Sequence, residues 1–534
     1  MLIQFLCFTV IYSKLAFADL FSSSLQLEQS LIETEANFVR HLSDYIKKEN
    51  SRLNRLTRIL NELKKSDYAV ESLAKVDITE RSNPIDAFLG IRRVIRSRSA
   101  VLDILFENVA EDILAFLIDA VKPQEEDLLG VTNSLLRLQD TYRLEAKDIA
   151  NGMIGSFDKT TPMTSDDCFL IGKTAASITD YYHAMPWLSV AEEKMDTEAA
   201  SGASIQRTFT RNDLYSNISH AMFAQGNVEH ALWYIRKLRE TDPSHPSASS
   251  FYEIWQSFKD SGRKWDGSWE SLPPVSNPRP MDGVDVEYEA LCRGEAVEKS
   301  ASEKEKAKLF CFLQRNTPFQ ILAPMKVEII NHSPYMAIFR GLLIGNEADR
   351  FKAMASDKLK SQKSFLDNVS YRVVKTTAFK DSYDEIVARV SKRIGEVTSF
   401  SMESAESTSV ANYGIGGHYG PHCDVAQPND LFTNEHNPLS FNKTLQGDRL
   451  ATVLFYLSTP KAGGATVFFE LGVSVPPVKN DALFWFNIKK NGDGDFRSLH
   501  ASCPVLLGQK WVANKWIHER GQEFRYPCDL SPDV

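Results

Sequence analysis

A chain of 534 residues with 43% hydrophobic and 25% charged side chains has the composition of an ordinary globular protein, and it is long enough for roughly three or four domains. The formal net charge of −9 argues against a nucleic-acid-binding protein, which would usually carry a basic face. No apolar run reaches the roughly 20 residues that a membrane-spanning helix needs.

The N-terminus is expected to be a secretory signal peptide, residues 1–18. Its first part is a mostly apolar run, and Ala16-Phe17-Ala18 provides a small-x-small cleavage site before Asp19. The alternative is a buried first helix, because the nearby basic residue Lys14 follows the apolar run instead of preceding it. A signal peptide would place the chain in the secretory pathway, where disulfides form.

Helical periodicity dominates the first half of the chain. Apolar residues at helical spacing predict a long amphipathic helix over residues 25–63, which fits a partner-helix seam and one helix of a bundle equally well. More helices are predicted at 85–106, 109–121 and 128–144. We interpret residues 19–150 as an N-terminal helical region that ends before a second helical unit.

The second helical unit, within residues 160–262, has a pattern typical of tetratricopeptide helix pairs. Small residues stand where two helices would touch, as at Ala224-Gln-Gly226, and Pro243 follows the second helix. Stacked helix pairs leave a groove for an extended peptide. Aromatic residues at helical spacing are more often core, but those that could line the groove are Tyr181, Tyr182, Trp187, Tyr215, Phe223, Trp233 and Tyr234, joined by His220.

The C-terminal part reads as a β domain. A Pro-, Gly- and Ser-rich stretch marks a linker over residues 263–318, and residues 319–534 follow as a separate domain. Short β-branched and aromatic runs separated by turn residues predict a sandwich or jelly roll. The predicted strands are 409–413, 450–457, 465–470, 482–487, 502–507 and 510–517.

A candidate metal site begins at His422-Cys423-Asp424. Residues at i and i+2 of a strand point to one face, so His422 and Asp424 can hold one ion together, and His500 can complete a set of two imidazoles and one carboxylate. That set leaves half of an octahedral sphere open, as in non-haem Fe(II) oxygenases. Lys510 would anchor the far end of a dicarboxylate co-substrate. A lone His-x-Asp is weak evidence, and Lys510 could instead be an ordinary edge lysine.

Six cysteines follow the proposed signal peptide, without the spacing of a zinc site. Cys292 with Cys311 and Cys503 with Cys528 are sequence-local pairs that could form disulfides. Cys423, between two proposed ligands, should be a packed thiol. Candidate glycosylation sequons begin at Asn217, Asn368 and Asn442.

Several segments together resemble the α subunit of collagen prolyl 4-hydroxylase. They include Asn412-Tyr-Gly-Ile-Gly-Gly417, Pro421-His-Cys-Asp424, Ala462-Gly-Gly-Ala-Thr-Val467, Lys515-Trp-Ile-His-Glu-Arg-Gly-Gln-Glu-Phe524 and Leu136-Arg-Leu-Gln-Asp-Thr-Tyr142. The resemblance spans essentially the whole chain after the signal. It implies a multidomain α+β protein with a helical dimerisation region, a tetratricopeptide-like peptide-binding domain and a C-terminal double-stranded β-helix. It also implies protein disulfide isomerase as the partner subunit, a second α chain, and residence in the endoplasmic reticulum lumen.

The same resemblance assigns roles at the site. His422, Asp424 and His500 would bind Fe(II), and 2-oxoglutarate would chelate the metal while its other carboxylate reaches Lys510. Tyr413 and Thr452 match positions that supply hydroxyl contacts to that carboxylate, and His518 matches a position tied to 2-oxoglutarate. O₂ is the other co-substrate and L-ascorbate supports the reaction. The two local cysteine pairs match the disulfides of the family.

Three hypotheses follow from these residues. The first is a procollagen-proline 4-dioxygenase acting on collagen-like peptides. The second is a catalytically silent peptide-binding escort, which loss of His422, Asp424, His500 or Lys510 would have favoured; all four are present. The third is the same chemistry on another proline-rich secreted target. It stays open because Asn217, His220 and Phe223 stand where collagen-modifying relatives carry groove tyrosines, which weakens stacking on a polyproline II ligand.

Overall fold

The computed structural model of the chain describes residues 21–65, 84–118, 123, 125–157, 159–202, 206–260, 270–280, 283–361, 372–425 and 446–529. The predicted signal peptide and the sequons at Asn368 and Asn442 lie outside these residues. The described residues form two compact units, one within residues 28–124 and the other made of residues 21–27 together with the described residues from 125 onward. The chain passes from one unit to the other between residues 27 and 28 and again between residues 124 and 125, both within the stretch 19–150. The domain boundaries expected from the sequence stay predictions.

The smaller unit is helical. It contains most of α1 (Ser24–Lys64), together with α2 (Pro84–Leu105) and α3 (Glu111–Ile118). The predicted helices at 25–63 and 85–106 are confirmed. Helix α3 begins two residues later than the predicted 109–121 because residues 109–110 form a turn, and residues 119–121 of that prediction lie outside the described part of the chain. Large apolar side chains stay exposed on these helices: Leu31, Ile32, Phe38, Val39, Ile46, Leu53, Ile85, Phe88, Ile91, Val94, Ile95 and Ile118.

The larger unit opens with a helical layer. Its helices are α4 (Glu125–Tyr142), α5 (Ala146–Ala150), α6 (Ser165–Ser177), α7 (Tyr181–Ala200), α8 (Arg211–Ala224), α9 (Val228–Thr241) and α10 (Pro246–Lys259). Capping boxes at Thr164 and Thr210 begin α6 and α8, because each hydroxyl accepts from the N–H three residues on. Gly172 lets α7 approach closely, since a Cβ there would lie 2.8 Å from Leu188. These helices share one hydrophobic core.

The β domain follows in the same unit. Its helices are α11 (Gly283–Cys292), α12 (Glu303–Lys306), α13 (Pro318–Leu322), α14 (Glu347–Ala355) and α15 (Glu385–Thr398). Its first strands are β1 (Cys311–Gln314), β2 (Met325–His332), β3 (Tyr335–Arg340), β4 (Lys360–Ser361), β5 (Val374–Phe379), β6 (Thr408–Tyr413), β7 (Tyr419–His422) and β8 (Arg449–Tyr456). The others are β9 (Ala462–Gly463), β10 (Thr466–Phe468), β11 (Val473–Val475), β12 (Ala482–Phe486), β13 (His500–Ser502), β14 (Val505–Leu507) and β15 (Lys510–His518).

Two antiparallel sheets build the jelly roll. The main sheet has the order β1-β2-β3-β12-β8-β15-β6-β5-β4, the second sheet has the order β11-β10-β13-β7, and β14 pairs with β9. Side chains of the main sheet alternate between two faces. Tyr413, Tyr456 and Val512 point inward to an interior cluster that also contains Phe468 of the second sheet. The outward face packs on α14 and α15.

The predicted jelly roll is confirmed, with local differences. The predicted strand 502–507 is two strands, because Pro504 cannot donate to a ladder and interrupts it. Strands β1 to β5 were missed, because the first strand predicted from the sequence begins only at residue 409. Within the described part of the chain, no helix combines the length and hydrophobicity needed to cross a bilayer.

Candidate active site

Two neighbouring strands bring the three candidate ligands together. His422 ends β7 and His500 begins β13, and the two residues are direct partners in the antiparallel register. Asp424 follows β7 by two residues, so its side chain returns to the same side. The Nε2 atoms of His422 and His500 each lie 3.9 Å from an Asp424 carboxylate oxygen. The three ligand atoms all lie within 4.8 Å of one another.

Backbone carbonyl groups orient the imidazole rings of His422 and His500. The Nδ1 atom of His422 lies 2.9 Å from the Gly420 carbonyl oxygen, and that of His500 lies 2.9 Å from the Ser498 carbonyl oxygen. Nδ1 is therefore the protonated nitrogen, which leaves the Nε2 lone pair for a metal. Tyr419 stacks on His422 with 3.6 Å between ring centres, and Trp485 meets His500 edge-on at 4.8 Å. These rings restrict imidazole rotation.

Asp424 is held as an ionised carboxylate. Its Oδ2 accepts hydrogen bonds from the Thr452 hydroxyl and the Trp516 indole N–H, each over 2.8 Å. Burial by itself would raise the pKa of Asp424, but His500, His422, Arg449 and the Trp516 hydrogen bond outweigh it and lower the pKa. Because both donors use Oδ2, Oδ1 is the atom available to a cation beside His422.

The donor set fits Fe(II). Burial, reinforced by the neighbouring His500, lowers the pKa of His422, so that imidazole is neutral and ready to coordinate. Two imidazoles and one carboxylate on adjacent positions form the facial set that leaves coordination sites open to other ligands. The three residues would hold the metal, with Thr452 and Trp516 fixing the orientation of its one anionic ligand.

A buried cation on the main sheet, Lys510 of β15, reaches across the interior of the jelly roll to β13 of the second sheet. Lys510 is 1% exposed, and its Nζ donates to the Ser502 hydroxyl over 2.6 Å. Ser502 is two residues beyond His500 on β13, which places it about 7 Å further along that strand. A five-carbon dicarboxylate that chelates the metal at one end would reach this point. Burial lowers the pKa of Lys510 to about 7, and the incoming carboxylate would restore its charge.

The structure places the two residues predicted to contact the far carboxylate, Tyr413 and Thr452, at different ends of the site. Tyr413 is the strand partner of Lys510, and the Lys510 ammonium lies 4.9 Å from its ring centre, so Tyr413 lies where the far carboxylate is expected. Thr452 instead pairs with Trp516, six residues along β15 from Lys510, or about 20 Å. It binds Asp424 and accepts from the Asn487 amide over 2.9 Å. Thr452 was predicted to contact the far carboxylate of the co-substrate. In the structure its hydroxyl instead holds the metal ligand Asp424.

His518 lies at the opposite end of β15 from Lys510. Its Nδ1 lies 2.7 Å from the Gly447 carbonyl oxygen and its Nε2 lies 3.0 Å from Glu406, so both ring nitrogens are engaged away from the ligands. Glu406 in turn accepts from Arg449 over 2.6 Å, and the Arg449 guanidinium lies 4.0 Å from the centre of the Trp516 ring. His518 is thus linked through Glu406 and Arg449 to the Trp516 indole that binds Asp424, and its role toward 2-oxoglutarate stays a prediction.

Helix α4 supports both ligand strands. Arg137 donates to the Gly416 carbonyl in the loop before β7 over 3.3 Å, and the Tyr142 hydroxyl donates to the Pro504 carbonyl after β13 over 2.5 Å. Gly416 has φ +56°, and a Cβ there would lie 2.7 Å from the Ser134 carbonyl oxygen. Helix α4, which contains one of the segments quoted for the resemblance, is thus part of the catalytic architecture, a role that helical periodicity does not reveal.

The disulfide pairing differs from the predicted one. Cys292 at the end of α11 is bonded to Cys503 directly after β13, across 211 residues. Neither local pair, Cys292 with Cys311 or Cys503 with Cys528, is formed, and Cys311 and Cys528 are exposed thiols. The reason is topological, because α11 packs beside the second sheet while β1 belongs to the far edge of the main sheet. The Tyr288 hydroxyl reinforces this contact by donating to the Ser502 carbonyl over 3.2 Å.

The predicted groove aromatics fall into two groups. Tyr215 and Trp187 are buried in the helical core, and the ring centre of Tyr215 lies 5.8 Å from that of Tyr234. The assignment of Tyr215 and Trp187 to the groove was therefore wrong. Phe223 is half-buried against the same core. Tyr182 packs on the neighbouring His183 ring at 4.8 Å.

An aromatic row, made of Tyr181, His220 and Phe251, reaches the surface: His220 is exposed, and Tyr181 and Phe251 are half-buried against the helical core. Tyr181 meets the exposed His220 edge-on at 5.4 Å, and His220 stacks on Phe251 at 5.9 Å, with planes 11° apart. The row crosses α7, α8 and α10. Phe251 was missed, because nothing in the pattern of α10 distinguishes it from a core residue. Asn217, a predicted sequon, lies within α8, where its amide already donates to the Asp213 carbonyl over 2.8 Å.

The jelly roll with its His-Asp-His cluster defines the class of 2-oxoglutarate- and Fe(II)-dependent oxygenases, and the family model described as 2OG-Fe(II) oxygenase superfamily matches residues 408–518. The class works with Fe(II), 2-oxoglutarate and O₂. Two further models match upstream: the prolyl 4-hydroxylase alpha-subunit N-terminal region over residues 24–156, and the prolyl 4-hydroxylase peptide-substrate-binding domain over residues 165–258.

The full length of the chain agrees with these matches. It is 39% identical over 536 residues to prolyl 4-hydroxylase subunit alpha-2 of Caenorhabditis elegans, covering 97% of this chain and 95% of that one. It is 34% identical over 530 residues to subunit alpha-1 of Homo sapiens, covering 96% of both. The chain belongs to the family of prolyl 4-hydroxylase α subunits. A solved structure of a viral collagen prolyl hydroxylase from Paramecium bursaria Chlorella virus-1 matches 35% of this chain and 98% of its own length, with 25% identity and a TM-score of 0.29.

Proposed function

We propose that this chain is the catalytic subunit that converts proline to 4-hydroxyproline in collagen-like peptides in the endoplasmic reticulum lumen. The reaction would consume 2-oxoglutarate and O₂ and release succinate and CO₂. The single observation that carries the proposal is the cluster of His422, Asp424 and His500 with the buried Lys510, which contacts Ser502 two residues beyond His500 on the same strand. Metal ligands and an anchor of opposite charge at this spacing serve a chelating dicarboxylate.

The chain's own residues position the reactants. Lys510 and Tyr413 would bind the far carboxylate of 2-oxoglutarate, with the Ser502 hydroxyl fixing the ammonium. His422, Asp424 and His500 would hold Fe(II), which with O₂ supplies the oxidising chemistry when bound. The aromatic walls of the interior cluster exclude water from the co-substrate.

The peptide would be held at a distance from the chemistry, on the aromatic row of Tyr181, His220 and Phe251. A polyproline II strand presents flat proline rings at regular intervals, and stacked aromatic side chains recognise such rings. The exposed position of His220 between two rings supports this assignment. The same feature keeps the alternative substrate class open, because an imidazole stacks less strongly than a phenol ring on proline.

Several parts of this proposal concern the assembly and the compartment. They are removal of residues 1–18 as a signal, retention in the lumen through protein disulfide isomerase as β subunit, and support of turnover by L-ascorbate. Pairing with a second α chain through the smaller helical unit is supported by the exposed apolar side chains of α1 and α2. Glycosylation is proposed at Asn368 and Asn442; Asn217 is a poor acceptor because its amide is already bonded within a helix.

The test is turnover of the chain co-expressed with protein disulfide isomerase, supplied with Fe(II), ascorbate, 2-oxoglutarate and a (Pro-Pro-Gly)n peptide. Peptide-dependent succinate together with 4-hydroxyproline in the product is the expected result, and His500→Ala should abolish both. Exposed His332, changed to Ala, provides a matched control. Peptide-dependent succinate with other proline-rich peptides only would select the alternative substrate class.

A silent escort is the competing outcome. It would show itself as peptide binding without succinate from a folded, iron-loaded complex. Binding is therefore measured separately, by titrating the same peptide into the complex without 2-oxoglutarate. His220→Ala should weaken this binding and raise the KM for peptide, whereas His245→Ala, on the turn before α10, should not.

A further inference from the structure

The first described residues of the chain are built into the catalytic unit. Ser22, Ser23 and Ser24 are 3%, 0% and 7% exposed, unusually low values for hydroxyl side chains near a terminus. The backbone of Phe21 passes so close to Gly414 that a Cβ on that glycine would lie 1.8 Å from the Phe21 carbonyl oxygen. We call residues 21–27 the N-terminal segment.

The partner of this segment is one buried amide. Asn412 on β6 is 0% exposed, and its Oδ1 accepts from the Ser23 hydroxyl over 2.6 Å, from the Ser24 hydroxyl over 3.3 Å and from the Leu25 N–H over 3.3 Å. Its Nδ2 donates back to the Ser24 hydroxyl over 3.2 Å. The two serines thus supply the side-chain partners of an amide that has no access to water.

A second anchor lies on the next strand. Lys375 on β5 is the strand partner of Asn412, and its ammonium donates to the Gln26 side-chain oxygen over 2.6 Å. The Gln26 amide donates to the Leu359 carbonyl over 3.4 Å. Leu25 packs against the outer core between the main sheet and its helices. The segment therefore covers the outer face of β5 and β6.

On the inner face of β6, directly behind the N-terminal segment, lie the residues proposed to bind the co-substrate carboxylate, Tyr413 and its strand partner Lys510. Side chains alternate along a strand, so Tyr413 points inward where Asn412 points outward. Tyr413 is the strand partner of Lys510, and Asn412 is the partner of the adjacent Trp511. A shift of β6 at Asn412 would move the Tyr413 ring relative to the Lys510 ammonium, 4.9 Å away.

We propose that the N-terminal segment is a positioning element of the 2-oxoglutarate site, which acts through Asn412 on Tyr413 and Lys510. The residues that carry it are Ser23 and Ser24. They touch no reacting atom, and their role is to hold β6 in the register and depth that the anchor requires. This inference rests on the proposed co-substrate site at Lys510.

The first experiment compares the double variant Ser23→Ala/Ser24→Ala with Ser43→Ala/Ser51→Ala, which changes two exposed serines of α1. Loss of the hydrogen bonds to Asn412 should raise the KM for 2-oxoglutarate two- to tenfold, the equivalent of about one hydrogen bond. The kcat and the KM for peptide should stay within about twofold. An unchanged KM for 2-oxoglutarate, or the same rise in the control, would overturn the proposal.

A second measurement does not depend on turnover. Hydrogen exchange of the complete enzyme should show protected amides at residues 24–27 and faster exchange of residues 408–413 in the serine variant than in the control. Ser24→Ala, which removes the longer serine hydrogen bonds to Asn412 but keeps the 2.6 Å bond from Ser23, gives a milder variant with a smaller rise in the KM for 2-oxoglutarate if the double change does not fold. Free exchange of residues 24–27 in the unmodified enzyme would reject the segment's role, even if the enzyme turns over collagen-like peptide normally. Absent turnover with an intact exchange pattern would instead count against the proposed activity.

Discussion

Lys510 on β15 lies directly opposite Tyr413 on β6, with its ammonium nitrogen 4.9 Å from the centre of the tyrosine ring and 2.6 Å from the Ser502 hydroxyl. Among the described residues, no carboxylate is recorded as an ion-pair partner of this buried lysine. A buried cation without an anion is costly unless a ligand supplies one. A carboxylate that enters the site would supply an anion beside this ammonium.

The first prediction concerns the pH dependence of co-substrate binding. The pKa of Lys510 is lowered to about 7 by burial, so the ammonium is largely neutral above pH 7 in the free enzyme. Binding a carboxylate then requires uptake of a proton, and the KM for 2-oxoglutarate should rise by up to about tenfold per pH unit above 7. The KM is measured between pH 6 and 9.

The matched variant is Lys510→Arg. An arginine stays charged over this range, so its KM for 2-oxoglutarate, although higher because the guanidinium is larger, should be flat with pH. Parallel slopes for the two proteins would assign the pH dependence to another group.

The second prediction concerns the support of Asp424. Trp516→Phe removes the 2.8 Å hydrogen bond to Oδ2 but keeps an aromatic ring under Arg449. Loss of such a contact to a metal ligand typically weakens metal affinity or activity about 10- to 100-fold. The affinity for Fe(II) is measured from the dependence of activity on the concentration of free Fe(II). Trp511→Phe, on the opposite face of the same strand, should leave that affinity unchanged, and equal effects of both substitutions would show a general loss of packing.

The third prediction concerns the disulfide. Proteolysis of the unreduced protein should yield a fragment that links Cys292 to Cys503. Cys292→Ser or Cys503→Ser should lower the free energy of unfolding by about 2–4 kcal/mol. Cys311→Ser and Cys528→Ser, at exposed thiols, should change it by less than about 0.5 kcal/mol. A fragment that links Cys292 to Cys311 would contradict the pairing.

The fourth prediction concerns a buried histidine in the helical layer. His183 lies between two carboxylates, 2.6 Å from Asp180 and 3.0 Å from Asp140. Burial by itself would lower the pKa of His183, but the two carboxylates raise it to about 9. The folded state therefore holds a proton that the unfolded state releases near pH 6.5.

The sign of the effect follows from this difference. The contribution of protonated His183 to the free energy of unfolding is fully present below pH 6.5. It is lost as the pH rises toward about 9, which lowers the free energy of unfolding by at most about 3 kcal/mol. Denaturant unfolding at pH 6, 7.5 and 9 measures it. His183→Gln should abolish this component of the pH dependence, whereas His332→Gln, at an exposed site, should retain it. Stability that is level across this range in the unmodified protein would rule out the charged pair.

Much of the site could be predicted because its signals are local. His422 and Asp424 share a face through their spacing alone, and matching flanks identified His500 and Lys510. The role of Thr452 could not be obtained that way, because it depends on the register that places β8 opposite Trp516 of β15. The same holds for Cys292 and Cys503, since sequence distance made the nearer partner look favourable while the fold brings the distant one into contact.

The fold shows the same division. Long periodic segments such as α1 were predicted almost to the residue, because amphipathic periodicity is strong over 41 residues. Strand β2 was missed although its burial alternates over eight residues, and the pairing of β3 with the distant β12 cannot be read from the sequence. Ser23 and Ser24 were not singled out at all, since nothing nearby in sequence announces that Asn412 will become their partner.

The position of β12 in the main sheet also bears on how the protein is made. Strand β3 (Tyr335–Arg340) has its inner neighbour in β12 (Ala482–Phe486), which leaves the ribosome much later. Until then the nascent chain presents an unpaired hydrophobic strand edge, the kind of surface that templates aggregation and attracts chaperones. A chain cut short before β12 would keep that edge permanently open. Premature termination in this region should therefore produce an aggregation-prone fragment, not merely an inactive one.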